Sequence, residues 1–124
     1  MGMYVRGIRG ATTVDHNDQQ QILHATSELL DAIIHANDLL PDAIASVFIT
    51  VTSDLDSTFP ARAIRNMAGW DMVPLMCALE IPVQGALPRC IRLMVMANTT
   101  QSQAAINHIY LHNAKSLRPD LVKH

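Results

Sequence analysis

The spacing of apolar residues predicts one long helix in this chain and several strands. From about Asp18 to Asn37, apolar residues recur every three or four positions, which is the period of an amphipathic helix, and Asp15, Asn17 or Asp18 is a candidate cap at its start. The other apolar segments are short and rich in β-branched residues, as strands are. One long helix among strands predicts a single α+β domain with a mixed sheet packed by helices.

The strands and the shorter helices follow from local sequence signals. The predicted strands are residues 3–14, 46–52, 73–79, 89–98 and 108–111. Pro60 stands where a helix prefers its first residue and Gly69 where a left-handed residue ends one, so a short helix is predicted over residues 60–68. A further helical piece is expected at 101–105, and residues 82–88, bounded by prolines, are expected to form a loop.

Length and composition limit the classes of protein to which the chain can belong. With 124 residues, 49% of them hydrophobic, we expect one domain over residues 1–124. The net charge of -2 argues against a nucleic acid or an anionic membrane as partner, and no apolar run is suited to span a bilayer or to act as a signal peptide. Two cysteines without a disulfide or metal pattern make the cytoplasm the expected compartment.

Arginine is the unusual residue of this sequence, because seven of the nine basic residues are arginine. Arginine suits two-point binding of carboxylates, although genome composition alone can produce such a bias. In the predicted strand 89–98, alternation places Arg92 on one face with Cys90, Met94 and Met96. A guanidinium among apolar side chains must have a carboxylate partner, reach solvent or bind an anionic ligand, and a structural salt bridge is the commonest outcome.

Two further places combine arginine with features of a binding site. Arg9, in the first predicted strand, shares a face with Gly7 and Ala11, which are small enough to leave a hollow beside its guanidinium. Arg62 and Arg65 are three residues apart and therefore neighbours on one face of the short helix, where solvated arginines are also common. The residues alone thus leave a ligand site and an ordinary surface as alternatives.

Glu80 and Tyr110 are weaker candidates, since a glutamate at a strand end is usually at the surface and a strand tyrosine is usually half-buried packing. His108 and His112 lie too far apart along a strand to share a metal ion, and we expect no metal and no cofactor. No Ser-His-Asp set, glycine-rich phosphate loop or Cys-His pair can be read from the sequence, so covalent catalysis has no candidate. The residues themselves indicate a small domain with arginines suited to a carboxylated small molecule.

Several short motifs, in this order and at these separations, resemble those of the AroH-class chorismate mutases. They are RGIRGATTV, FPARAIR, GW, VPLMC-x-x-E, GALPRCIR, HIYL and LRPDL, and they extend over nearly the whole chain. The RGIRGATT block combined with the C-x-x-E and CIR blocks is far more specific than any single motif. The resemblance implies an enzyme of phenylalanine and tyrosine biosynthesis that isomerises chorismate to prephenate without a cofactor.

The same resemblance implies a ferredoxin-like subunit that assembles into a homotrimeric pseudo-α/β barrel, with one active site at each of the three subunit interfaces. It also implies roles for single residues. Arg92 would reach the ether oxygen of the substrate and a carboxylate, while Arg9 and Tyr110 would bind carboxylates. Glu80 and Cys77 would contact the ring hydroxyl. The residues implied to line or close the pocket are Phe59, Ala61, Arg62, Arg65, Leu75, Met76 and Arg118.

Three positions depart from the pattern that the resemblance leads us to expect: Arg62 stands in place of a lysine, Met76 of a threonine and Pro88 of a lysine. These departures bear on the charge at the rim of the pocket and on the affinity for substrate rather than on the reaction.

A non-catalytic amino-acid-sensing domain and a RidA-like imine deaminase are alternatives of similar size, but neither accounts for the C-x-x-E and CIR blocks together. Because the arginines are scattered, we expect subunits to share sites, with Arg9 and Arg92 as a pair that could meet across an interface.

Overall fold

In the part of the chain that the structure describes, two α-helices and a mixed sheet of five strands make up the fold, which confirms the predicted α+β class. The structure is a computed structural model that describes residues 2–121, so closure of residues 122–124 over a ligand, which the sequence leaves open, lies outside the described residues. The strands are β1 (Tyr4–Thr13), β2 (Ile44–Val51), β3 (Leu75–Leu79), β4 (Cys90–Thr99) and β5 (Ile109–Tyr110). The helices are α1 (Gln19–Asn37) and α2 (Ala61–Arg65), with short 3-10 turns at 41–43, 103–105, 112–116 and 119–121.

The strand order, β3-β2-β4-β1-β5, makes β4 the central strand of the sheet. β4 runs antiparallel to both of its neighbours, β1 and β2, whereas the outer pairs β2–β3 and β1–β5 are parallel. In the β1–β4 register, Ala11 lies opposite Arg92 and Arg9 opposite Met94. This pairing places Arg9 and Arg92 diagonally across two adjacent strands on one face.

The long helix α1 has the predicted bounds and clear end signals. The Asp18 carboxylate caps its start by accepting a hydrogen bond of 3.0 Å from the backbone N–H of Gln21. Asp38, with a φ of 52°, adopts the left-handed conformation that ends it. The helix crosses β1 at Gly10, where an added Cβ would lie 2.6 Å from Cδ1 of Ile33, so any larger residue would force the Ile33 side chain to shift.

The two faces of the sheet differ in how they are covered. The residues of β4 that alternate with Arg92 are nearly inaccessible and belong to the main core with α1 and α2: Ile91, Leu93, Val95 and Ala97. This confirms the predicted alternation. The opposite face carries a smaller apolar cluster around Tyr110, and large apolar side chains such as Phe48 and Met76 remain 47% and 61% exposed. We call this second surface the open face.

The helix α2 and the strand β5 are both shorter than predicted. α2 ends at Arg65 because the backbone N–H of Met67 bonds to the carbonyl of Ile64, three residues back, which is a tighter turn than an α-helix makes. β5 has only two residues, since the chain turns away at His112, which has a φ of 53°. Among residues 2–121, no helix has both the length and the apolar character needed to cross a membrane.

Candidate active site

A cleft of about 210 Å³ lies on the open face, over the strands that carry Arg9 and Arg92. Its walls include Arg9, Phe48, Thr50, Arg92, Met94 and Tyr110, which come from β1, β2, β4 and β5. Complete small-molecule sites usually enclose about 300–1,000 Å³, so the cleft has the size of part of a site. It is therefore the candidate for one portion of an active site.

Arg9 and Arg92 line this cleft together within one chain. The sequence leaves open whether the two residues meet across a subunit interface, and the structure places both in the cleft of one chain, because β1 pairs antiparallel with β4. Two guanidinium groups in one small cleft repel each other, and a ligand with two negative charges relieves that repulsion. The cleft therefore suits a small dicarboxylate, which both guanidinium groups can bind.

Glu80 reaches the Arg92 end of the cleft from the end of β3. Its Oε2 lies 3.6 Å from Nε of Arg92, and the Thr50 hydroxyl donates a hydrogen bond to the same oxygen. At 3.6 Å the arginine and the carboxylate attract each other without forming a hydrogen bond. The sequence leaves three environments open for Arg92: a carboxylate partner, solvent or an anionic ligand. The structure shows the first two, since Glu80 is its partner and its side chain is 48% exposed.

Arg9 and Tyr110 are fixed by contacts at the β1–β5 side of the sheet. The backbone N–H of Arg9 donates to Nδ1 of His108 over 2.9 Å, which ties β1 to the segment before β5. Tyr110 is buried and packs in the cluster that contains Ala11 and Cys90. The tyrosine thus forms a fixed wall, while the arginine keeps a partly exposed side chain.

Cys90 lies beside Arg92 and remains a neutral thiol. Burial raises the pKa of Cys90, while the charge of Arg92 lowers it and that of Glu80 raises it. Because the net shift is upward, the thiolate form is disfavoured at neutral pH. Cys90 therefore contributes packing beneath the cleft rather than a nucleophile.

The C-terminal part of the described chain lies within electrostatic reach of the cleft. Arg118 pairs with Asp120 through two hydrogen bonds of 2.9 and 3.1 Å. The bond from Arg118 lowers the pKa of Asp120, and the positive charge of Arg9 lowers it further. Arg118 thus lies near the predicted pocket with its guanidinium already paired to a carboxylate.

Other predicted residues lie away from the cleft within the same chain. Phe59 and Cys77 line a groove of about 460 Å³ beside β3 and the start of α2, and Phe59 is 70% exposed there. Ala61 belongs to the main core and Leu75 packs against it. A single chain therefore does not bring these four residues to the cleft that contains Arg92.

Arg62 and Arg65 lie exposed on α2, and Nη1 of Arg62 donates to the Thr58 hydroxyl over 3.0 Å. Met76 lies on the open face opposite Phe48. Pro88 is exposed in the loop before β4, so the three departures from the expected pattern are all at exposed positions.

Sequence reasoning missed Thr50 and Phe48, which form the β2 wall of the cleft. Alternation along β2 puts both on one face, but nothing in the sequence says that β2 lies beside β4. Among residues 2–121, no three His, Cys, Asp or Glu side chains are grouped so as to hold a metal ion.

Comparison with known proteins identifies the family. The family model described as chorismate mutase type I matches residues 5–121. This chain belongs to the type I chorismate mutases. It is 43% identical to chorismate mutase AroH of Bacillus subtilis over 119 residues, which cover 96% of this chain and 94% of that protein. It is 48% identical to chorismate mutase AroH of Thermus thermophilus over 118 residues, or 94% and 96% of the two chains.

A solved structure, a chorismate mutase from Clostridium thermocellum, shares the fold of this type I chorismate mutase. The TM-score is 0.88 and the identity 47%, over 90% of this chain and 99% of that one. Chorismate mutases are isomerases, so the chain is an enzyme of that class and belongs to aromatic amino acid biosynthesis. The resemblance read from the sequence motifs is thereby confirmed.

Proposed function

We propose that this enzyme rearranges chorismate to prephenate at a site made from the cleft of one subunit and the groove of a neighbouring subunit. The observation that carries the proposal is the division of the predicted residues into two groups. Arg9, Arg92 and Tyr110 line the cleft, whereas Phe59 and Cys77 line a separate groove. A second copy of the chain can supply the group that the first copy lacks.

The reaction explains why the cleft carries fixed charge rather than a nucleophile. Chorismate has two carboxylates, and its rearrangement breaks one C–O bond and forms one C–C bond within the same molecule. The protein needs to hold the side chain of the substrate folded over the ring and to stabilise negative charge on the oxygen of the breaking bond. No proton, electron pair or group passes to the protein, so we propose that no cofactor takes part.

Arg92 is the residue that we assign to the transition state. Its planar fork can donate to the ether oxygen and to a carboxylate together. Arg9 and Tyr110 would hold the carboxylates, and Glu80, with Cys77 from the neighbouring subunit, would bind the ring hydroxyl. Met76, Leu75, Ala61 and Phe59 would shape the pocket, with Arg62, Arg65 and Arg118 at its rim.

We further propose that the chain is a homotrimer that closes into a pseudo-α/β barrel in the cytoplasm. Phe48 and Met76 leave a broad apolar area on the open face, and exposed apolar areas of this kind mark protein interfaces. The described free cysteines, Cys77 and Cys90, suit a reducing compartment.

A direct assay tests the activity. Purified protein should consume chorismate and form prephenate with no metal, nucleotide or flavin added. Release of ammonia from an imine would instead indicate a deaminase, and binding of an amino acid without turnover would indicate a sensor. Either of these results, in the absence of prephenate, overturns the proposed activity.

Mixed trimers test the shared site. We expect an Arg92→Ala chain and a Phe59→Asp chain, each inactive alone, to regain activity when unfolded and refolded together, because some interfaces then combine an intact cleft with an intact groove. Arg9→Ala refolded with Arg92→Ala is the matched control and should gain no activity over the two chains refolded separately, since every cleft lacks one arginine. Recovery in the control but not in the first mixture would contradict the assignment.

A further inference from the structure

Thr50 lies between Arg92, which lines the cleft, and Glu80, whose carboxylate lies beside Arg92. β2 runs between β3 and β4, and in its register Thr50 is opposite Arg92 on one side and Ala78 on the other. Glu80 follows Ala78 by two residues and therefore projects from the same face. The Thr50 hydroxyl donates to Oε2 of Glu80, the oxygen that faces Nε of Arg92.

The contact between Glu80 and Arg92 is looser than two such groups normally make. Arginine and carboxylate side chains tend to close into a two-point pair with N–O distances of about 2.7–2.9 Å. Here Nε and Oε2 are 3.6 Å apart, and both side chains have solvent around them to move in, with 48% and 23% exposure. The hydrogen bond from Thr50 is the contact that occupies Oε2 instead.

We infer that Thr50 is a positioning residue that holds Glu80 beside Arg92 without letting the two close into a salt bridge. The inference rests on the proposed function and extends it. Arg92 thereby keeps its N–H groups for the ether oxygen and carboxylate of the substrate, and Glu80 keeps Oε1 as an acceptor for a hydroxyl. A closed Arg92–Glu80 pair would neutralise the charge on which the rearrangement depends.

Three substitutions isolate the hydroxyl from the shape of the side chain. Thr50→Val removes the donor and keeps a β-branched side chain that strands favour. Thr50→Ser keeps the donor and removes a methyl group. Thr12→Val is the matched control, because Thr12 is fully buried on the opposite face of the sheet and its hydroxyl has no partner among the described residues.

The expected result is a selective loss in the valine variant. Loss of a hydrogen bond to a charged group should lower kcat/KM by roughly 10- to 100-fold in Thr50→Val, with little change in melting temperature. Thr50→Ser and Thr12→Val should stay close to the wild type. A wild-type kcat/KM in Thr50→Val, or an equal loss in Thr50→Ser, overturns the inference.

A double substitution separates positioning from direct contact with the substrate. In a Glu80→Gln background there is no charged pair to hold apart, so Thr50→Val should lower kcat/KM by less than about threefold. If the loss is as large as in the wild-type background, Thr50 acts on the substrate itself or on the fold, and the positioning role is wrong.

A crystal structure of unliganded Thr50→Val tests the inference without any activity. Glu80 should move until its carboxylate lies about 2.7–2.9 Å from two nitrogens of Arg92. A Glu80 that keeps its wild-type position overturns the inference. A wild-type protein that leaves chorismate unchanged would overturn the proposed function, so the two failures are distinguishable.

Discussion

Arg9 and Arg92 project from the same face of two adjacent antiparallel strands, because Arg9 pairs with Met94, two residues from Arg92. The pair belongs to a single chain and lines a single cleft. The sheet thus holds two positive charges at a separation set by backbone hydrogen bonds, before any ligand arrives. Such preorganisation is what electrostatic stabilisation of a dianion requires.

Arg9→Ala should weaken substrate binding more than it slows the chemical step. Arg9 is proposed to hold a carboxylate remote from the breaking bond, so the expected change is a rise in KM, of the order of tenfold or more for loss of a charged hydrogen bond, with a smaller change in kcat. KM should also depend less on salt than in the wild type, because one of two partly exposed charges is gone. Steady-state kinetics at several ionic strengths measure both effects. A fall confined to kcat would contradict the anchoring role.

Activity should vary little between mildly acidic and mildly basic pH. The rearrangement transfers no proton, and arginine does not titrate in this range. Near the cleft, the bond from Arg118 lowers the pKa of Asp120, so this carboxyl stays ionised, and burial raises the pKa of Cys90, so this thiol stays neutral. A steep bell-shaped profile of kcat/KM in that range would contradict the mechanism.

The helices, the strands and the residue types of the cleft could be predicted from the sequence more fully than the arrangement of those residues in space. Alternation in β4 correctly separated Arg92 from Ile91 and Leu93, because the period of two is a property of the strand itself. The main helix could likewise be predicted from its apolar period, and Asp18 is the one of the three candidate caps that the structure shows at its start. Both signals are local in the chain.

The strand order and the contacts between strands could not be read in this way. That Thr50 lies opposite Arg92, and that Glu80 reaches the same point from β3, depends on pairings between residues far apart in the sequence. These pairings are selected by the whole core, not by any one segment. The two-residue length of β5 likewise depends on its pairing with Gly10 and Ala11 and on the turn that the chain makes at His112.

Asn17 should prove important for the groove, although it lies outside both groups of site residues. Its Oδ1 accepts hydrogen bonds from the backbone of Asp56 and Ser57 at 3.1 and 3.2 Å, and its Nδ2 donates to the Asp56 carboxylate at 2.7 Å. These bonds hold the loop that leads to Phe59. Asn17→Ala should reduce the free energy of unfolding by about 1–3 kcal/mol and raise KM.

Asn17→Asp is the control for the groove, because it keeps the acceptor but replaces the donor with a charge that faces Asp56. We expect an intermediate loss of stability in this variant, measured by urea unfolding, and a rise in KM that follows the loss. An Asn17→Ala protein with lowered stability and an unchanged KM would show that the loop does not position the groove.

The charge of Arg92 should matter far more to the transition state than to binding of the ground state. Arg92→Gln keeps a polar side chain and removes the charge. Loss of one preorganised uncharged donor at an oxyanion costs roughly 10²–10³ in turnover, and loss of a full charge in the completed pocket should cost at least as much. Arg92 is half exposed in the single chain, and β4 contains no other basic residue. We therefore expect no other side chain of β4 to replace the charge lost in Arg92→Gln.

Arg92→Lys separates charge from geometry at the same position. Lysine retains the positive charge but lacks the planar fork that can touch the ether oxygen and a carboxylate together, so it should be impaired less than glutamine and still fall well below the wild type. Arg65→Ala on the exposed surface of α2 serves as the comparison and should mainly raise KM. Single-turnover rates with saturating chorismate separate binding from the chemical step. If Arg92→Gln kept the wild-type kcat and raised only KM, Arg92 would be a carboxylate anchor, and stabilisation of transition-state charge would have to come from another residue.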